Sequence, residues 1–183
     1  MRILGIDPGA TTGWVIYHDA GTGRFVEACG EFRGDDMLSS MPGRFWSVDA
    51  AVIERPVAHG ATRPQVVDCA WIAGCLWRDL WAMVGRDKCH TVTRLEVRQA
   101  LTAAVHKVVS VRDDKTAWAA LTLIHGDGSD RKPRTRKGVV IEDGGCIGRT
   151  TGHARAALAA AVAWMLLHPN DNAVDQMACG RVR

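Results

Sequence analysis

The chain has 183 residues, which suits one compact domain or one domain with a short tail. Its hydrophobic fraction of 47% is enough to bury a core. The net charge of +3 is compatible with a nucleic-acid partner without demanding one, so the local clustering of basic residues is more informative than their total.

The cysteine pattern and the apolar segments exclude several classes of protein. No two of the six cysteines form a C-x-x-C pair, and no zinc-finger spacing of cysteine and histidine occurs, so we expect reduced thiols. The N-terminal segment lacks the apolar region of a signal peptide, and no run approaches about 18 apolar residues. We therefore expect a cytoplasmic protein without a membrane partner.

The first half of the chain predicts a sheet followed by a long helix. Short apolar runs at 2–6, 13–17 and 25–32 are separated by tight turns, so the three strands should be antiparallel neighbours. A fourth strand is expected at 49–54, where Arg-Pro follows the acid. From about 63 to 84, apolar residues recur at steps of three and four, which predicts a helix.

The second half predicts a short strand, three helices and a hairpin. These are expected at residues 90–93, 95–104 and 113–124, then 138–141 paired with 146–149, and finally 151–167. Asp113 or Asp114 can cap the second of these helices. Strands followed by alternating strands and helices indicate an α/β fold, a mixed sheet covered by helices. We expect one domain at 1–168 and a polar tail at 169–183.

Two acidic residues each end an apolar strand. Asp7 follows the run R-I-L-G-I, and Glu54 follows A-A-V-I. A lone Asp-Pro-Gly is most often an ordinary turn. A second acid at a strand end favours a functional site over an ordinary turn, because both carboxylates would converge if the two strands were neighbours. Paired carboxylates suit Mg²⁺ or Mn²⁺.

The ordered motifs resemble the RuvC family of Holliday junction resolvases, in its phage-type form, within the ribonuclease H-like nuclease superfamily. I-L-G-I-D-P-G-A-T-T-G-W at 3–14 and V-I-E before Pro56 match the family's two acidic strands. D-D-K-T-A-W loosely matches its lysine-containing helix, which places Lys115 at the lysine position. G-H-A-R-A-A-L matches its final helix, which places His153 at the first ligand position. The ordered set spans about residues 1–167.

The sequence departs from the family pattern at Ala156. This residue follows His153 by one helical turn, where the family has an aspartate, and an i,i+3 pair shares one face of a helix. Alanine coordinates nothing, and no Asp or Glu occurs between Asp143 and Asp171. Either the enzyme is naturally degenerate or an inactivating substitution is present; we favour the second because the other matched positions are intact.

The resemblance implies a fold, cofactors and a reaction. The fold would be a ribonuclease H-like mixed sheet, with three antiparallel strands plus parallel strands, flanked by helices. Two Mg²⁺ or Mn²⁺ ions about 4 Å apart would clamp the scissile phosphate for hydrolysis. Asp7 would bridge both ions, Glu54 would hold one, and His153 would hold or flank the other beside Ala156. Lys115 would neutralise phosphate charge or be an ordinary exposed helix residue.

Basic residues near these motifs are candidate DNA contacts. The run R-K-P-R-T-R-K at 131–137 could bind phosphates or be a solvated loop. The full set of candidates is Arg55, Arg63, Arg112, Lys115, Arg131, Lys132, Arg134, Arg136, Lys137 and Arg155.

The resemblance also implies a homodimer on branched DNA. The helix at 63–84 has an apolar stripe wide enough to serve both the core and a partner. A two-fold dimer would match the pseudo-symmetry of a four-way junction and allow paired nicks. We therefore predict a metal-dependent endodeoxyribonuclease that acts on four-way junctions, flaps or forks, inactivated by Ala156.

Three other functions remain open from the sequence. A sugar-kinase or actin-like ATPase shares a similar glycine-rich opening but needs two lobes, and this chain is short for them. A non-catalytic junction-binding protein is favoured directly by Ala156. A related ribonuclease H-like enzyme could act on RNA or more broadly on branched DNA.

Overall fold

A computed structural model describes most of the chain. The described residues are 1–20, 23–34, 36, 43, 47–57, 64–126, 128–132, 134–136, 139–142, 146–150 and 152–169. For 134–136 and 139–142 the description covers the backbone alone. Residues 170–183 lie outside these ranges, so the boundary between domain and tail at 168/169 stays a prediction.

Strands and helices follow one another in nearly the predicted order. The strands are β1 (Arg2–Asp7), β2 (Thr11–Asp19), β3 (Arg24–Arg33), β4 (Ala50–Arg55), β5 (Cys89–Thr93), β6 (Arg134–Arg136) and β7 (Val139–Glu142). The helices are α1 (Pro64–Val84), α2 (Arg94–Ala104), α3 (Asp114–His125) and α4 (Gly152–Leu167), with a short 3₁₀ helix at Arg86–Lys88.

The main sheet is mixed, as the sequence predicts. Its five strands lie in the order β3-β2-β1-β4-β5 within the described part of the chain. β1, β2 and β3 pair antiparallel, whereas β4 pairs parallel to both β1 and β5. Ile6 lies opposite Ile53 in the parallel pair, so Asp7 and Glu54 leave the same end of the sheet from adjacent strands.

Capping residues fix where the middle helices begin. Asp113, one of the two predicted caps, is the N-cap of α3, where its side chain accepts from the Thr116 backbone N–H at 2.8 Å. Thr93 caps α2 in a reciprocal capping box with Glu96. None of the helices in the described ranges combines the length and the hydropathy needed to traverse a lipid bilayer.

The hairpin predicted for 138–141 and 146–149 is wrong. Val139–Glu142 pairs instead with Arg134–Arg136, inside the basic run. The later segment uses its backbone groups elsewhere: Cys146 O accepts from Val26 N, and Ile147 N donates to Ser129 O. Burial of Ile147 in the core holds that segment against the sheet, so it is not free to pair with β7.

The sheet is covered on both faces, and its tightest contact is with α4. One hydrophobic cluster joins the sheet to α2, α3 and α4, and a second joins it to α1. The final helix is almost entirely buried along its Ala-rich run. A Cβ on Gly5 would lie 2.3 Å from the carbonyl oxygen of Ala157, and one on Gly13 would lie 2.2 Å from the carbonyl carbon of His153. Both positions therefore require glycine for backbone to approach backbone.

Gly13→Ala is expected to lower the free energy of unfolding by about 1–3 kcal/mol, because the new methyl group would push the first turn of α4 off β2. Urea denaturation followed by circular dichroism measures the change. Gly23→Ala is the matched control, since nothing lies within 4 Å of a Cβ there. Equal stability of the two variants would contradict the close-approach argument.

Candidate functional site

Two carboxylates from adjacent parallel strands begin the site. Asp7 ends β1, and Glu54 precedes the last residue of β4. Their side chains are only 19% and 11% exposed. Burial, with a smaller contribution from the nearby Asp7, raises the pKa of Glu54 to about 7 against the lowering effect of Arg94. Burial also raises the pKa of Asp7, against the hydrogen bond with His153. Both shifts show that negative charge is costly here.

The first turn of α4 brings His153 to Asp7. Nδ1 of His153 lies 3.2 Å from Oδ2 of Asp7. The backbone N–H of His153 donates to Oε1 of Glu31 at 2.8 Å, so an acid on β3 satisfies a free donor at the helix N-terminus. Glu31 was missed by the sequence analysis, because nothing in the pattern of β3 ties it to a helix 122 residues later.

Ala156 lies on the same helix face as His153 and lines the same cavity. This cavity has a volume of about 570 Å³ and is lined by both residues together with Asp7. The methyl group of Ala156 offers no donor or acceptor there. The described structure therefore places a non-coordinating side chain where the family resemblance expects an acid.

Residues at the N-terminus of α3 also line the cavity. Lys115 lines it, as do Asp113 and Asp114. Arg155 also lines it, with its guanidinium 4.2 Å from the centre of the Trp118 ring and Nε donating to Thr150 O. Lys115 and Arg155 thus border the cavity that holds Asp7.

The remaining candidate DNA contacts divide by location. Arg55 lines a second cavity, beside Glu54. Arg112, Arg131 and Lys132 are exposed and do not line the cavity at Asp7. Arg134 and Arg136 lie on β6, where only the backbone is described. Arg63 and Lys137 lie outside the described residues.

Arg94 is the central site residue that the sequence analysis missed. Its Nη1 donates to Oε2 of Glu54 at 3.1 Å, and its Nη2 donates to Oδ1 of Asp114 at 2.6 Å. Burial opposes its charge, but Glu54, Asp114 and Asp7 raise its pKa. The available signal was its place directly after β5, next to the strand that ends in Glu54.

The comparisons with known proteins identify the fold. Neither a family model nor a curated protein matches the chain. A structure of Thermus thermophilus RuvC matches with a TM-score of 0.56 at 14% identity, covering 92% of this chain and 96% of that one. The chain has a RuvC-like fold. A structure of T. thermophilus RuvC in complex with Holliday junction substrate matches with a TM-score of 0.50 at 14% identity, covering 92% and 95%. The predicted ribonuclease H-like α/β architecture is confirmed.

The donor types at this end of the RuvC-like sheet fit a divalent metal. Two carboxylates and an imidazole are suitable ligands for Mg²⁺ or Mn²⁺. Among the described residues no three such side chains are grouped closely enough to hold an ion as they stand. Glu54 already has a cationic partner in the guanidinium of Arg94, at 3.1 Å. Asp7, Glu54 and His153 are the residues that would hold the metal.

The raised pKa of Glu54 predicts a pH dependence of stability. The carboxyl titrates near 4.5 when unfolded and near 7 when folded, so between these values the folded state keeps a proton that the unfolded state loses. Without metal, the free energy of unfolding should fall by about 2–3 kcal/mol from pH 5 to pH 8 through this group. Glu54→Gln should remove that decrease.

Urea denaturation of both proteins at pH 5 and pH 8 measures the difference, and the titrating groups that do not interact with Glu54 cancel in the comparison. The glutamine variant should gain stability relative to the original chain as pH rises. A constant difference between the two proteins would show that Glu54 is ionised throughout this range.

Proposed function

We propose that this chain binds branched DNA at the end of the sheet that carries Asp7 and Glu54, and that its centre is that of a metal-dependent structure-specific endonuclease. The observation that carries the proposal is the meeting of Asp7 and His153 at 3.2 Å, beside Glu54, in a RuvC-like fold. The DNA-bound RuvC structure supports branched DNA as the substrate class.

Each residue has a defined task in this proposal. Asp7, Glu54 and His153 would hold divalent ions, whose chemistry would be activation of a water and stabilisation of the leaving 3′ oxygen. Asp7 presents a half-buried carboxylate at the end of β1, and Glu54 presents a buried one from the neighbouring strand. His153 orients Asp7 from the side of α4. Lys115 borders the cavity where the phosphate would lie and offsets its charge.

DNA would approach along basic residues on both sides of the acids. Lys115 and Arg155 border the cavity at Asp7, and Arg55 borders the one at Glu54. Arg98 lines both cavities, and it is a further contact that the sequence analysis did not select. These cations would bind phosphates through a salt-dependent, sequence-independent attraction. Exposed Arg131 and Lys132 would extend that contact.

We also propose that the chain works as a homodimer through α1. Only Leu76 and Leu80 of this helix are fully buried, whereas Trp71 is 73% exposed and Val67 is 56% exposed. Exposed aromatic and aliphatic side chains on one helix favour a protein interface. A two-fold dimer would present two centres to the opposite strands of a junction.

A non-catalytic junction-binding role is the second candidate function, and Ala156 favours it. Metal coordination needs an oxygen or nitrogen donor at this cavity wall, and a methyl group provides none. We propose that the chain as it stands binds four-way junctions without cutting them.

Ala156→Asp tests the catalytic assignment. With Mg²⁺ or Mn²⁺, this variant should cut four-way junctions, flaps or forks at a rate at least about 100-fold above the original chain, the scale expected for restoring one strong charge-stabilising group. Gel shift and cleavage assays on the same labelled junctions measure binding and nicking separately. Failure of the variant to cut any of these substrates would overturn the catalytic assignment.

Asp7→Asn in the Ala156→Asp background is the control for the site itself. Cleavage should be lost while junction binding changes little, because the amide keeps the size of Asp7 but is a poor metal ligand. Loss of binding together with loss of the folded circular dichroism spectrum would make Asp7 a structural residue.

A further inference from the structure

Arg94 places a fixed positive charge among the acids of the site. Its guanidinium bridges Glu54 on β4 and Asp114 on α3, at 3.1 and 2.6 Å. Asp7 also acts on it electrostatically. Glu54 is only 11% exposed and Arg94 is 39% exposed, so their ion pair is half-buried, with the carboxylate on its poorly hydrated side.

The backbone holds Arg94 in this position. β4 and β5 run parallel, with Glu54 opposite Val92 and Arg55 opposite Thr93. Thr93 then caps α2 through a reciprocal capping box. Arg94 is therefore the first residue of α2 and directly follows β5, the neighbour of the strand that carries Glu54. The fold itself thus brings Arg94 to this acid.

Arg94 also joins the two cavities of the site. It lines the cavity that contains Asp7 and His153 and the one that contains Glu54 and Arg55. A carboxylate cluster in such a place repels the phosphates of DNA, and a divalent ion would normally offset that repulsion. The guanidinium of Arg94 supplies positive charge at Glu54, one of the residues that would hold an ion.

We propose that Arg94 is a built-in counter-cation of this centre, which competes with divalent metal for Glu54 and allows the chain to hold branched DNA without a metal ion. The DNA half of this inference rests on the function proposed above. The metal half rests on the contacts of Arg94 and on the proposal that Glu54 is a metal ligand. The proposal also accounts for Ala156. If Arg94 neutralises the acids, the centre can bind phosphates even though the side chain at position 156 cannot coordinate a metal ion.

Calorimetric titration with Mn²⁺ tests the competition in the absence of DNA. Arg94→Gln should bind Mn²⁺ at least about fivefold more tightly than the original chain, the lower range of a typical coupling between two sites. Arg98→Gln is the matched control, since it removes the same charge one turn along α2 and from the same two cavities. Within the described part of the chain Arg98 makes no hydrogen bond or ion pair with Glu54, so its variant should bind Mn²⁺ within about twofold of the original chain.

Gel shifts with a four-way junction in EDTA and in Ca²⁺ test the consequence for DNA. Binding by the original chain should change less than about twofold between the two conditions. Arg94→Gln should bind about tenfold more weakly in EDTA and recover in Ca²⁺. Arg98→Gln should lose the same affinity in both conditions, because it removes only a phosphate contact. Arg94→Lys, which keeps a charge, should bind in EDTA within about threefold of the original chain.

The outcomes separate the two proposals. If the original chain binds no branched DNA in either condition, the proposed function fails, and the Mn²⁺ titration still decides the role of Arg94. If Arg94→Gln, with a native circular dichroism spectrum, binds Mn²⁺ no more tightly than Arg98→Gln, the competition is refuted. Junction binding by Arg94→Gln that is equal in EDTA and Ca²⁺ would refute the counter-cation role.

Discussion

The close contact of α4 with β1 and β2 is the constraint on which the site depends. Gly5 and Gly13 leave no side chain between helix and sheet, so the helix backbone lies directly on the strands. That distance sets His153 within 3.2 Å of Asp7, although the two residues are 146 positions apart. The buried alanines of α4 also keep the helix close to the sheet, because small side chains allow close packing without overfilling the core. The same packing that holds the fold together therefore also aligns two of its candidate ligands.

The change from antiparallel to parallel pairing at β1 is the second determinant of the site. Because β4 runs beside β1 in the same direction, their final acids emerge together; an antiparallel β4 would have placed Glu54 at the far end of the sheet. The cost of this convergence is visible in the raised pKa of both acids. Arg94, delivered by the next parallel strand, offsets part of that cost.

The sequence predicted the parts of the structure that follow from local patterns. Apolar runs located the five strands of the main sheet, and strand-end acids located Asp7 and Glu54. The hairpin failed because tertiary burial of Ile147 and backbone bonds to β3 and to Ser129 outweighed the turn signal at 143–145. Arg94 and Glu31 escaped prediction for a related reason. Each acts on a residue brought close by the fold, and a single charged residue at a strand or helix junction has no distinguishing pattern of its own.

Ala156 and Arg94 have connected effects on the charge of the centre. An acid at 156 would add another negative charge to a cavity already bordered by Asp7 and Asp114, and a bound ion would then be needed to hold that cluster together. Alanine at 156 adds no negative charge, so less positive charge is needed to balance the cavity. Arg94 supplies positive charge through its hydrogen bonds to Glu54 and Asp114. In the proposed function, this RuvC-like fold would keep a surface suited to branched DNA while its requirement for metal is reduced. Binding and cleavage would be separable in the proposed function, because phosphate attraction depends on the net charge of the cleft and hydrolysis depends on a complete set of ligands.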